Sequence, residues 1–155
     1  MRLEAIFFTF SENYVRIREI LGRLIGWKHV GIIREQLYKS EFELSHYANK
    51  KLLYCPDMPT DFLDRREATI FKQLVGGDPL WADVRNSDSM MTLDGNFPVI
   101  LACNGKPRIH LDEDSDAWLR RLVVLSFKET EDDKHMGMMA DLILKQESSG
   151  ILNWL

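Results

Sequence analysis

The sequence has few cysteines, no long apolar run and no basic excess. Cys55 and Cys103 each lie inside an apolar run, and no C-x-x-C spacing occurs, so we expect neither a disulfide framework nor a zinc site. No apolar run approaches the ~18 residues that a membrane span needs, and the start MRLEAIFFTF lacks a small-residue cleavage site. These absences predict a protein with no membrane partner and no secretory signal, located in the cytoplasm.

The charge is close to balanced but unevenly distributed. The 155 residues carry 20 Lys and Arg against 24 Asp and Glu, a formal net charge of −4. Residues 1–110 hold 15 basic and 14 acidic residues, whereas residues 111–155 hold 5 and 10. A basic surface over the whole protein, as many nucleic-acid-binding domains have, is therefore excluded, and any DNA contact must be local.

Apolar runs and helical spacings alternate along the chain. A length of 155 residues fits one domain. Uninterrupted apolar runs predict buried strands at 51–55, 97–103 and 121–127. Helical spacing predicts amphipathic helices at 12–25, 62–74 and 136–146, the last with Met138, Met139, Leu142 and Ile143 on one face. This alternation indicates an α/β domain with a mainly parallel sheet.

Polar residues follow two of the predicted strands. Asp57 comes after the first strand and Asn104 directly after the second. Because open α/β sheets bind ligands at the carboxyl ends of their strands, these two residues are candidates for one shared crevice. A carboxylate there is a natural Mg²⁺ anchor, and an amide can orient water or a phosphate oxygen. The alternative is that both residues only cap turns.

The segment 75–85, VGGDPLWADVR, is a second candidate. Two glycines, an aspartate and a proline predict a tight turn, after which Trp81 and Arg85 follow. An aromatic and a basic residue on a projecting loop suit stacking and phosphate contacts with single-stranded DNA. The alternative is a helix cap followed by an edge hairpin, with Trp81 packed on the core.

Five segments occur along the chain in a fixed order. They are FELSHYANKKLLYCPDMPTDFLD, FKQLVGGDPLWADVR, LDGNFPVILACNGKPRI, DAWLRRLVVLSF and ESSGILNWL, roughly from Val30 to Leu155. This order resembles the phage/plasmid primase-helicase family, in its superfamily 3 helicase domain. The resemblance implies an AAA+-like P-loop NTPase core with a mostly parallel central sheet flanked by helices. It also implies a homo-oligomeric ring that couples hydrolysis of ATP, with Mg²⁺, to movement along DNA.

The resemblance implies roles for particular residues. Asp57 matches the acidic end of the Walker B strand, which holds Mg²⁺, and Asn104 matches the sensor asparagine, which contacts the γ-phosphate. Arg120 and Arg121 match the paired basic residues where the arginine finger is expected. Positioning and charge stabilisation are what phosphoryl transfer requires. The motif associated with a DNA-contacting hairpin is matched by Lys72, Gly76, Gly77, Asp78 and Arg85, and Trp81 and Lys106 join this DNA-binding set.

The sequence departs from the family pattern in two places. The Walker A loop, G-x-x-x-x-G-K-[ST], is expected just before the first helix, but residues 8–14, FTFSENY, contain neither glycine nor lysine. The Walker B strands of the family commonly end in a pair of acidic residues, whereas here Pro56 precedes a single Asp57 and Met58 follows it. We therefore expect a truncated helicase domain that binds and hydrolyses ATP poorly by itself. The alternatives are a non-enzymatic DNA-binding or ring-modulating subunit, and the product of a decaying prophage gene.

Overall fold

A computed structural model describes residues 5–9, 11–34, 37, 40, 42–62, 68–105, 108, 122–126 and 137–154. Its helices are α1 (Ser11–Ile25), α2 (Ala68–Gly76) and α3 (Gly137–Trp154). Its strands are β1 (Ala5–Thr9), β2 (Val30–Ile32), β3 (Leu52–Cys55), β4 (Asp78–Asp83), β5 (Met90–Gly95), β6 (Val99–Cys103) and β7 (Leu122–Ser126). Short 3-10 turns occupy Trp27–His29 and Leu44–Tyr47.

Five strands form a parallel sheet in the order β2-β3-β6-β1-β7. The prediction of an α/β domain with a mostly parallel sheet is confirmed, as are the strands predicted at β3, β6 and β7. β1 and β2 were not predicted. Since all five strands run the same way, their carboxyl ends lie along one edge of the sheet, and their amino ends lie along the other.

The central strands are buried on both faces because their side chains alternate between two apolar clusters. Leu53 of β3 and Leu101 of β6 belong to the larger cluster, which also contains α2 and the β4–β5 pair. Tyr54 follows Leu53 and Ile100 precedes Leu101 in the sequence, and both belong to a smaller cluster that packs against α1. Helices therefore cover both faces of the sheet, which explains why β3 and β6 are continuous apolar runs.

Helix α1 confirms the prediction for 12–25 and ends at Gly26, whose φ of 89° reverses the chain direction. Helix α2 begins at Ala68 and not at residue 62, because Phe62 lies in a turn, and residues 63–67 are outside the described part. α3 extends beyond the predicted 136–146, and its Asp141 pairs with Arg23 of α1 at 2.6 Å.

The predicted apolar face of α3 is largely exposed. Met138 is 72%, Met139 47% and Leu142 52% accessible, whereas Ala140 is buried. Three of the four residues on this face are therefore open to solvent. None of the helices that the structure describes has an apolar stretch that would let it cross a membrane.

β4 and β5 form a separate antiparallel hairpin. Gly77, with a φ of 86°, lets the chain turn directly from α2 into β4. Leu80, Ala82 and Leu93 face the larger cluster and are buried. The segment predicted as a projecting loop is thus one arm of a hairpin that follows a helix end, as the alternative interpretation had it, although the hairpin forms a two-stranded sheet of its own.

Candidate functional site

Asp57 and Asn104 lie together at the carboxyl edge of the sheet. Asn104 Nδ2 donates a hydrogen bond of 3.4 Å to Asp57 Oδ1, and both residues are exposed. They are neighbours because β3 and β6 pair directly, with Cys55 opposite Leu101. The structure therefore brings the two residues together, while the shared crevice and the roles of Mg²⁺ anchor and phosphate sensor stay predictions.

Two hydrogen bonds fix the backbone around these two residues. Met58 N donates to Ala102 O at 2.8 Å, which ties the loop after β3 to β6. Cys103 Sγ donates to Gly105 O at 2.8 Å, which fixes the turn that carries Asn104. The two exposed side chains are therefore carried by backbone that hydrogen bonds of buried residues hold in place, as binding residues on a rigid scaffold are.

The two cysteines near this edge are structural. Both are buried and free. Burial raises the pKa of the Cys55 thiol to about 11, and burial also raises the pKa of Cys103. Since the thiolate is the nucleophile and the metal ligand, neither residue is activated for that chemistry at neutral pH.

The junction between β1 and α1 lies at the same edge. Thr9, the last residue of β1, pairs with Cys103, the residue before Asn104. α1 begins at Ser11, so a single residue separates strand from helix. A phosphate-binding loop needs several residues between the strand and the helix to curl its backbone amides around the phosphates. The junction is too short for such a loop, which agrees with the absence of glycine and lysine from 8–14.

The described residues do not fit a resident ATP–Mg²⁺ complex. Mg²⁺ in nucleotide sites is held by one or two carboxylates together with the phosphates. Asp57 supplies one exposed carboxylate, and the described part of the chain contains no group of three or more His, Cys, Asp or Glu residues suited to a metal ion. Within the described part of the chain, no loop at the β1–α1 junction offers backbone amides to the phosphates that would share the ion with Asp57.

Three of the residues predicted to bind DNA lie near the opposite edge, at the turn from α2 into the hairpin. Phe97 N donates to Leu74 O at 3.1 Å, which holds the end of α2 beside the chain that enters the amino end of β6. Gly76 ends α2, Gly77 forms the turn and Asp78 begins the hairpin. The turn between α2 and the hairpin therefore lies near the amino edge, whereas Asp57 and Asn104 lie at the carboxyl edge.

The hairpin combines an exposed aromatic with an acidic surface. Trp81 is 63% exposed, which excludes the alternative that it packs on the core, and Arg85 is exposed near the tip. Lys72 on α2 is half-buried. The residues 78–95 contain one Arg and no Lys against four carboxylates, at Asp78, Asp83, Asp88 and Asp94. This charge balance repels phosphates, so the predicted DNA role of the hairpin depends on Trp81 and Arg85.

Three predicted site residues, Lys106, Arg120 and Arg121, lie outside the described residues. Sequence analysis also overlooked a group of basic residues at the amino edge of the sheet, Lys28, His29, Lys50 and Lys51. The available signal was their position directly before two strands, with no acidic residue in 26–32 or 48–55.

A parallel sheet covered by helices on both faces defines an open α/β domain. The chain belongs to the Family of unknown function (DUF5906), whose pattern matches residues 9–121. No curated protein matches the sequence.

Solved structures of the NrS-1 C-terminal region share this fold. The apo structure of the region 305-718 has a TM-score of 0.69 and 18% identity, covering 96% of this chain and 35% of that one. The A form apo structure has a TM-score of 0.65 and 17% identity, covering 94% and 34%. This chain therefore spans about a third of the length of those structures.

Proposed function

We propose that this chain is a helicase-type domain of phage or plasmid DNA replication that binds single-stranded DNA but does not hydrolyse ATP by itself. The five sequence segments that resemble the primase-helicase family support this proposal. So does the likeness to the C-terminal region of NrS-1, a phage primase-helicase. Arrangement in a homo-oligomeric ring, with Arg120 or Arg121 acting at a neighbouring subunit, is the finer part of the proposal and rests on the resemblance alone.

The single-residue β1–α1 junction beside the Asp57–Asn104 pair carries the proposal. By the sequence resemblance, the pair matches the metal anchor and the sensor of the primase-helicase family. By the same resemblance, the junction matches the segment with which that family holds the triphosphate. In place of glycines and lysine the sequence there has aromatic residues and Glu12, which adds charge of the same sign as the phosphates. Backbone amides at a helix N-terminus remain, but without the loop they are a weak substitute.

Phosphate release by the purified chain tests the enzymatic half of the proposal. Enzymes of this general kind turn over at ~10 s⁻¹, and loss of the phosphate cradle and its lysine costs at least ~10³ in rate. With Mg²⁺, ATP and a thymidine oligonucleotide we expect release at or below ~10⁻² s⁻¹, unchanged by Asp57→Ala. Turnover near 1 s⁻¹ that Asp57→Ala abolishes would contradict the proposal.

Binding of a labelled thymidine oligonucleotide tests the other half. We expect weak, sequence-independent binding that falls steeply as salt rises, because phosphate neutralisation releases counterions. Addition of ATP and Mg²⁺ should leave the affinity unchanged. A chain that binds no DNA at low ionic strength would rule out a direct role at the DNA.

A further inference from the structure

A group of basic residues lies at the amino edge of the sheet, opposite the edge that carries Asp57 and Asn104. The turn Trp27–His29 leads into β2, and Lys50 and Lys51 lead into β3, its neighbour in the sheet. Lys50 Nζ donates to Lys28 O at 2.8 Å, and Lys51 N donates to His29 O at 2.7 Å. These bonds hold the two segments side by side. Lys28 and Lys51 remain exposed.

An exposed aromatic ring lies beside these lysines. Trp27 is 45% exposed. The Arg18 guanidinium lies 5.3 Å from its ring centroid, and a Cβ added at Gly22 would overlap the same ring. Because Arg18 and Gly22 are four residues apart on α1, they contact the ring from the same side. The helix therefore supports one face of the indole and leaves part of the residue open to solvent.

Arg18 adds a cation to the group. Its guanidinium lies between two aromatic rings, 5.7 Å from the centroid of Tyr54 as well as 5.3 Å from that of Trp27. Its buried Nε has no hydrogen-bond partner among the described residues. Aromatic faces attract such a cation without neutralising its charge. The positive potential of this edge therefore includes Arg18 together with the three lysines.

We infer that this amino-edge surface, formed by Trp27, Lys28, Lys50 and Lys51, binds the backbone of a single-stranded nucleic acid, with a base stacked on Trp27. Exposed aromatics among lysines are the combination by which such strands are held without sequence preference. This inference deepens the proposed function and rests on its DNA binding. It assigns the contact to a basic surface and not to the hairpin, whose residues 78–95 carry four carboxylates and one arginine.

A second copy of this chain is an alternative occupant of the amino-edge surface, and the test distinguishes it from a single-stranded nucleic acid. The acidic hairpin of another copy of this chain, with exposed Trp81 and Met90, would also be attracted to lysines. The nucleic acid is favoured because its backbone is flexible, so that each exposed lysine can reach a phosphate. A folded hairpin would instead have to match the positions of the lysines with its own fixed shape. The two outcomes differ in stoichiometry and in their dependence on protein concentration.

Fluorescence anisotropy of a labelled thymidine oligonucleotide, measured over a series of salt concentrations, tests the inference. Each lysine that contacts a phosphate contributes about 0.7 to the slope of log K against log salt. The double variant Lys28→Ala, Lys51→Ala should lower the slope by about 1.4, and Trp27→Leu should weaken binding about tenfold. Lys145→Ala, an exposed lysine on α3, is the matched control and should change neither. Lys50 is left intact because its ammonium group bridges the two segments.

Three results would overturn the inference. If Trp81→Leu and Arg85→Ala abolish binding while the amino-edge variants retain both affinity and slope, the hairpin is the DNA site and the proposed function survives. If the double lysine variant instead loses self-association in sedimentation and keeps its DNA affinity, the surface contacts a second copy. If the unaltered chain binds no oligonucleotide at all, the DNA-binding half of the proposed function fails together with the inference. Thermal unfolding of each variant checks that the fold is retained.

Discussion

Arg34 holds the buried carboxylate of Glu43 with two parallel hydrogen bonds. Its Nε and Nη2 donate at 2.9 and 2.8 Å to the two oxygens, and Tyr47 Oη donates to Oε1 at 3.3 Å. Glu43 is only 3% exposed, whereas the Arg34 side chain is 49% exposed. The hydrogen bond and the charge of Glu43 raise the pKa of Arg34, and burial followed by the same carboxylate raises the pKa of Tyr47 above its usual range.

This asymmetric burial predicts unequal effects of removing the two partners. Arg34→Ala leaves a buried carboxylate without its cation and should lower the free energy of unfolding by about 3 kcal/mol. Glu43→Gln keeps a buried acceptor and leaves an arginine that solvent already reaches, so the loss should be about 1 kcal/mol. Urea unfolding of both variants measures the difference. Equal losses, or a larger loss for Glu43→Gln, would show that the arginine charge and not the buried carboxylate governs this pair.

Stability should fall at alkaline pH because of Cys55. Its folded pKa of about 11 lies above the ordinary 9.0, so the folded state keeps a proton that the unfolded chain releases. The contribution of this thiol to the free energy of unfolding is full below pH 9 and is lost as the pH rises toward 11. At pH 10 the free energy of unfolding should be about 1.4 kcal/mol lower than at pH 8 from this group. The raised pKa values of Cys103 and Tyr47 act in the same direction.

Comparison with Cys55→Ala under reducing conditions isolates this effect. The variant should lose less stability than the unaltered chain between pH 8 and pH 10, by about the amount given for Cys55 alone. Parallel stability curves for the two proteins would mean that burial does not control the protonation of this thiol.

Two glycines should respond to the same substitution with opposite signs. A Cβ at Gly95 would overlap the backbone oxygens of Gln73 and Asp78, so Gly95→Ala should destabilise the fold by about 3 kcal/mol. Those atoms belong to α2 and β4 and have no side-chain freedom with which to move away. Gly150 on α3 has only an ordinary contact of 3.7 Å with Glu147, so Gly150→Ala should stabilise by up to about 1 kcal/mol through helix propensity.

Thermal unfolding of this matched pair measures both effects. If Gly95→Ala were tolerated as well as Gly150→Ala, the close packing of the hairpin on the end of α2 would be incorrect.

The elements that the sequence predicts well are those whose burial is complete. β3 and β6 are packed on both faces, so each is an unbroken apolar run that needs no partner to be recognised. Their parallel pairing then follows from the alternation with helices, which is why Asp57 and Asn104 could be placed at one edge before the fold was known. Their chemical roles could not be predicted equally well, because those depend on what holds the phosphates.

The strands that the sequence did not predict are either too short to show a periodic pattern or are recognised only through pairing with strands far away in the sequence. β2 has three residues, too few for a periodic signal, and β1 is recognised as a strand through its pairing with β6 and β7. The hairpin did carry a signal, since Leu80 and Ala82 alternate with exposed residues, but the glycines before them favoured a loop. Helical spacing placed Met138 and Leu142 on one face of α3 and could not specify whether that face is covered.

The interior position of β1, between β6 and β7, has a consequence for how the chain folds as it is synthesised. Of the five strands in this sheet β1 is made first, yet it pairs with β6 and β7, with Ala5 opposite both Val99 and Leu122. At typical elongation rates roughly 5–20 s of synthesis separate β1 from β6. During that interval the segment AIFFT, apolar and uncharged, is available for pairing with other chains. Completion of the sheet must wait for the last strand, so folding on the ribosome should depend on chaperones that bind this early segment.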